Sequence, residues 1–314
     1  MNRLPCSQHI RPIRSWLDKR LPSRNQPCCR QLSSNILFMA LLLPPVCHAA
    51  GATPLKADIY AGYSYDDNVT RAQYDDDIES DNVLKLGGSL STAIPISDKT
   101  YLSLRGTLDA SQYDRWDKLS NTLIGIYSDF YLKPSIGYTA TRYLLSLNYE
   151  QRLYRSEQRK GSALRVKLGI DKNLTDIITI HAGYIRENID AKSSVFDAEN
   201  DRLYLDLEYR TGASNIIYAT LGYLDGNLVS TARAGYGIRY DEWVIDDAFT
   251  ELSPTRWAYK LSGSALTLRL GDNYKLNHNS AIDVSLLHYD SEADNYNAGS
   301  YDGLIANLSY IYLF

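Results

Sequence analysis

Three histidines follow residue 50: His181, His278 and His288. Imidazole is the side chain whose ordinary proton affinity suits acid–base work near neutrality. His288 stands out because Ser262 and Ser264 lie on the segment before it, and an imidazole beside a hydroxyl can activate a serine nucleophile. The residues after it are Tyr289-Asp290-Ser291, so His-x-Ser is absent, and so is Ser-Asn-Gly. His278 sits among Asn277, Asn279 and Ser280, a turn composition, and reads as a polar turn residue. His181, between Thr179 and Gly183, reads as a hydrogen-bonded residue of a strand. A second chemistry is carried by carboxylates. Asp66, Asp67, Asp75, Asp76, Asp77, Glu79 and Asp81 crowd one stretch against the single Arg71, and hard oxygens of this kind suit divalent cations. The Asp75-Asp76-Asp77 run lacks the spaced Asp-x-Asp-x-Asp pattern and its glycine, so a solvated acidic loop is the plainer reading and no metal is expected. No cofactor is expected either.

The elements that must position these residues emerge from where the charges and aromatics fall. All four Cys and none of the 26 Tyr lie in the first 50 residues. Those residues hold seven of the 33 Lys/Arg and one of the 37 Asp/Glu, so residues 51–314 carry 26 bases against 36 acids, net −10. A Cys-free, acidic body excludes disulfide scaffolds, Cys zinc sites and nucleic-acid partners. The leading stretch runs from a basic region (Arg3 to Arg30) through 11 apolar residues, 36–46, to the small residues around Ala49, Ala50 and Ala52. That order defines a secretory signal peptide over 1–50, cleaved near Ala50 or Ala52; an apolar run this short does not span a bilayer. Cys47 as a lipid acceptor is the minor alternative, since Pro44-Pro45-Val46 precede it.

Residues 51–314 alternate with period two almost throughout, which means strands with two unlike faces. In 202–210, Leu203, Leu205, Leu207 and Tyr209 share one face, and Arg202, Asp206, Glu208 and Arg210 the other. A soluble sandwich also alternates. The apolar faces here end in Tyr, and short connections (Ser97-Asp98-Lys99, 277–280) alternate with long polar ones (66–81, 189–200, 289–301), the rhythm of a transmembrane antiparallel up-and-down β-barrel. Strands are expected at 56–66, 81–94, 99–113, 127–139, 142–155, 161–172, 175–188, 200–211, 215–227, 259–273, 279–290 and 302–314. That makes about twelve; 119–127 and 232–240 are further candidates, so ten or fourteen remain open.

The last segment places Leu304, Ala306, Leu308, Tyr310, Tyr312 and Phe314 on one face. It resembles the C-terminal strand of Gram-negative outer-membrane proteins. The resemblance implies that Tyr310, Tyr312 and Phe314 form the signal read by the barrel assembly machinery, that the chain resides in the outer membrane, and that lipid and lipopolysaccharide surround it. The opening Ala61-Gly62-Tyr63-Ser64-Tyr65-Asp66-Asp67-Asn68-Val69-Thr70-Arg71-Ala72 is similar to the first strand and loop of porin-like families, and to the barrel half of surface lipoprotein assembly modifiers. The latter carry helical repeats ahead of the barrel, and none is read here.

With the apolar face toward lipid, the opposite face lines the interior. Its bases are Lys85, Arg105, Lys133, Arg152, Arg165, Lys167, Arg202, Arg210 and Arg269; its acids are Asp58, Asp109, Glu150, Glu187, Asp206, Glu208 and Asp283. A slightly basic interior below acidic loops suits passive passage of small hydrophilic solutes, anions among them. The alternatives are a structural or export-accessory barrel plugged by internal ion pairs, and a lipid-active hydrolase built on His288 with Ser264 opposite it on the lipid face. The sequence names no solute and no oligomeric state.

Overall fold

The computed structural model describes residues 55–234, 242–294 and 299–314. The signal-peptide expectation for 1–50 therefore lies outside the described residues. Thirteen strands follow in order: β1 (Lys56–Asp66), β2 (Asp81–Ser97), β3 (Thr100–Tyr113), β4 (Asn121–Leu132), β5 (Arg142–Tyr154), β6 (Gly161–Asn173), β7 (Ile178–Ala191), β8 (Ala198–Arg210), β9 (Asn215–Arg233), β10 (Glu242–Ile245), β11 (Arg256–Lys275), β12 (Ser280–Ala293) and β13 (Tyr301–Leu313). Each pairs antiparallel with its neighbour; β13 returns to β1, and β9 pairs with β11. Twelve strands thus close into a barrel, and β10 is a short addition on the end of β11. Closure leaves no unpaired edge, the condition for a sheet in hydrocarbon. Every barrel strand has at least the roughly 9–11 residues that a tilted strand needs to cross.

The alternation works as a sorting device. Along β5, Leu145 and Leu147 are 49% and 53% exposed on the outside, while Ser146 and Asn148 between them are 0% and 1% exposed. Such an inversion, greasy outside and polar inside, is stable only when the outer medium is itself apolar. Tyr63, Tyr65, Tyr149, Tyr209, Tyr223 and Tyr310 also point outward, among the exposed large side chains. No helix among the described residues is long and apolar enough to cross a membrane.

Two strand boundaries differ from the expectation. The fourth strand runs over Asn121–Leu132 instead of 127–139. Pro134, which has no N–H to give a ladder, and Gly137 at φ 142° end it early. The candidate 119–127 is thus the true start of β4, fixed by Ser111 opposite Asn121. Lys133 consequently leaves the lumen-facing set: it lies in the 133–141 connection, its amide donating to the Lys99 carbonyl at 2.7 Å. The 232–240 candidate contributes only Ala232 and Arg233, as the extension of β9 that pairs with Arg256 and Trp257; residues 235–241 lie outside the described set.

Candidate functional site: the barrel interior and its cap

Two walls of different chemistry line the interior. From β3 to β8 it is a charged network. Arg165 donates to Glu187 and reaches Glu150 at 3.4 Å, and Arg152 stands 3.9 Å from Glu150. Lower down, Arg142 pairs with Asp171 at 2.6 Å, and His181 joins Asp171 at 2.7 Å and Glu208 at 3.4 Å. Lys167 sits 4.0 Å from the centre of the Tyr204 ring and Arg105 4.5 Å from that of Tyr127. Asp109 accepts from Tyr60 Oη at 2.8 Å, and Lys85 donates to Asn307 at 3.2 Å. Arg202, Asp206 and Arg269 also face inward, and Asp283 accepts from Tyr218 at 3.0 Å and from Asn273 at 3.2 Å. Arg210 lies at the end of β8, donating to the Asp176 carbonyl at 3.2 Å, so it marks the short-turn rim rather than mid-lumen. Of the proposed lining residues, Lys133 alone falls outside the strands.

A set of inward tyrosines was not anticipated, because tyrosine was read as an outer-girdle residue. Tyr60, Tyr204, Tyr218 and Tyr289 each stand directly across a strand pair from a glycine: Gly87, Gly183, Gly271 and Gly303. A Cβ at any of these glycines would overlap the facing tyrosine side chain. The glycine leaves the floor on which the ring lies flat, so the aromatic lines the wall without crossing the bore. The sequence signal was there in the form of glycines at inward positions of otherwise regular strands.

The other wall, built by β9, β11, β12, β13, β1 and β2, is less densely paired. In its long-loop half it leaves a cavity lined by Val83, Leu224, Leu228, Leu287 and Ile305 together with Lys85, Arg269, Asn307, Tyr289 and Arg71. A second, smaller cavity opens on the same wall at the short-turn end, beside Ile216, Asn273, Ala281 and Ile311. Arg269, Tyr218 and the Asp283–Asn273 contact lie between them along the strands.

The long-loop end is capped. Residues 68–72 turn into the mouth and are buried. Arg71, at φ 55°, forks onto both Asp66 oxygens at 2.8 and 2.7 Å, donates to Tyr289 Oη at 2.6 Å, and lies 4.5 Å from the centre of that ring. Burial alone would lower its proton affinity; the Asp66 carboxylate more than offsets this and holds it well above the ordinary value. Trp116, Leu119, Val69 and Phe249 form an apolar cluster across three connections, with the Trp116 and Phe249 rings 4.9 Å apart. Arg159 clamps Asp246 at 2.6 and 2.7 Å, and Asp77 takes Arg233 at 2.9 Å and Arg256 at 3.1 Å. Asp77 and Asp246 are both 0% exposed. Asp77, read as solvated loop charge, is therefore a buried strut of the cap, and Asp246 is another. Among the described residues no group of three or more His, Cys, Asp or Glu is placed to hold a metal ion.

The lipid-face catalytic pair does not form. His288 faces outward but stands opposite Leu268 and Leu304, whereas Ser264 is opposite Asp225 and Glu292. Four residues of strand, about 13 Å, separate the Ser264 position from that of Leu268. The Ser264–His288 pairing assumes a hairpin turning around 276; with Lys275 opposite Ala281 the hairpin is centred at 278, which moves the partner of His288 on by four residues, to Leu268.

A closed twelve-stranded barrel, apolar outside and polar within, with short turns at one end and a loop cap at the other, defines an outer-membrane β-barrel. One solved structure agrees at the level of fold, and two others are more distant. An outer membrane channel from Pseudomonas putida F1 superposes with a TM-score of 0.53 at 10% identity, covering 87% of this chain and all of that one. The KdgM porin in complex with disordered oligogalacturonate gives 0.44 at 11% identity, over 82% of this chain and 99% of that one. The translocator domain of the autotransporter NalP from Neisseria meningitidis gives 0.39 at 10% identity, over 84% and 90%. Identities this low speak to architecture alone. No protein-family model matches the chain, and no curated protein matches it.

Proposed function

We propose that the chain is a passive outer-membrane channel for small solutes, exported by the signal peptide over 1–50, folded through the terminal Tyr310, Tyr312 and Phe314, and surrounded by lipid and lipopolysaccharide. The observation that carries this reading is the pair of cavities stacked along one wall of a barrel whose opposite wall is consolidated by ion pairs. A barrel serving only as a structural element has no reason to leave one side unfilled. The passage follows β9 and β11–β13, narrows at Arg269, Tyr218 and Asp283, and is closed at the long-loop end by the cap. A slight excess of inward bases favours anions at the narrowing. The cap itself supports the second reading, a closed accessory barrel, because its buried Arg159–Asp246 and Arg256–Asp77 pairs are costly to separate. Planar-bilayer recording decides between them. Discrete conductance steps with an anion-selective reversal potential are expected; silence at all voltages, in protein that has passed a folding check, would leave the accessory reading standing.

A further inference from the structure

We propose that the cavity under the cap is a binding site for a small amphipathic monoanion: a carboxylate carrying an apolar body. Its lining, an apolar wall with a few placed polar groups, is the usual composition of a small-molecule site. Two independent features of its lining call for this chemistry. The first is a buried guanidinium with no direct partner among the described residues; its electrostatic neighbour is the Asp283 carboxylate. Arg269 is 7% exposed, and among the described residues it makes no hydrogen bond and no ion pair. The nearby carboxylate, Asp283, is taken by Tyr218 and Asn273. Arg202, a second inward cation, adds like charge rather than relief. Beside it the Asn307 amide nitrogen is buried with no partner among the described residues, its oxygen already accepting from Lys85 at 3.2 Å. A buried guanidinium and a free amide N–H together present the donors that a carboxylate accepts. Asp66 does not cancel them, because Arg71 holds both its oxygens at the roof.

The second feature is the apolar wall. Leu224, Leu228, Leu287, Val83 and Ile305 point into the same chamber, although most lumen positions of this barrel are polar or aromatic. A hydrated inorganic anion gains nothing from such a wall, and a neutral hydrocarbon gains nothing from Arg269. A ligand with both parts uses both. Each apolar contact would remove nonpolar area of the ligand from water, which favours binding.

This site deepens the channel reading and rests on it, since it names the solute class that the passage would hold before the narrowing. The test is equilibrium binding to the detergent-purified full chain by calorimetry, against a micelle-only blank. The probes are 3-phenylpropionate, its neutral counterpart 3-phenylpropan-1-ol, and acetate. Saturable binding of phenylpropionate is expected, at least tenfold tighter than either control, and Arg269→Gln should remove that preference for the acid. Equal binding of acid and alcohol, or of phenylpropionate and acetate, would overturn the proposal, as would an unchanged Arg269→Gln variant. Should that variant fail to fold, the three-probe comparison on the unmodified chain still decides. Conductance without phenylpropionate binding sinks this site and leaves the channel; binding without conductance sinks the channel and leaves a closed binding barrel.

Discussion

Arg71 carries the first connection at a single point, since its fork onto Asp66 and its contact with Tyr289 tie residues 68–72 into the mouth. Arg71→Ala leaves Asp66 buried without a counter-ion, a change that typically costs about 3–5 kcal/mol. The cost falls on a loop, not on the ladder. The expected result is chymotryptic cleavage near Tyr74 and a larger single-channel conductance, with the heat-induced shift of the barrel on SDS gels unmoved. Arg71→Lys should recover only part of the protection, because an ammonium lacks the planar fork. Full protection in the alanine variant would refute the pin. Gly271 poses the opposite problem. A side chain there overlaps the Tyr218 ring, so Gly271→Val is expected to lower barrel stability by about 1–3 kcal/mol. The drop should be visible as an earlier gel-shift temperature, and Tyr218→Ala in the same chain should recover part of it.

Elements follow local rules where they cross the membrane and distant ones where they leave it, and that divides what the sequence revealed from what it hid. Ten of the twelve barrel strands were legible from alternation within three residues, and β9 at its start, because each β residue chooses between two solvents. The fourth was displaced since Pro134 was passed over as a breaker, and Lys133 was misplaced with it. The cap could not be read. Its partners lie 87 residues apart in Arg159–Asp246 and 156 apart in Arg233–Asp77, so its acids looked like ordinary solvated charge. The amphipathic chamber was hidden for the same reason: Val83, Leu224 and Ile305 meet only once the sheet closes. The cap also makes a pH prediction. Burial works against the Asp246 carboxylate, but Arg159 overrides it and holds the acid below its ordinary value of 3.8. A depressed acid stabilises the fold above its unfolded value and ceases to as pH falls through the folded one. The cap should therefore hold conductance at its basal level at pH 5–8 and loosen only as pH falls below about 3.8, seen as a higher conductance on the acid side of that value. Asp246→Asn should conduct at the higher level on both sides of it, and a pH-independent unmodified chain would contradict the assignment.

At the scale of the whole molecule, one physical condition governs everything above: the outside of the barrel is solvated by hydrocarbon. Leu147 sits near the middle of β5, 53% exposed, with Ser146 and Asn148 buried on either side of it. In water that arrangement is inside out, and a charge at 147 would be harmless or helpful. In a bilayer the same charge must be dragged to the midplane. Arg and Lys at that depth of a barrel cost about 2–4 kcal/mol, falling to nearly nothing at the rims. Leu147→Arg is thus expected to destabilise the folded barrel by that amount, measured by reversible urea unfolding in lipid vesicles. Leu153→Arg, on the same face of β5 but near its long-loop end, should cost less than half as much. The gradient between the two positions is the decisive quantity. Equal effects, or a gain at residue 147, would mean that the leucine face is covered by something other than lipid, and the channel, its cap and its anion chamber would all have to be reassigned.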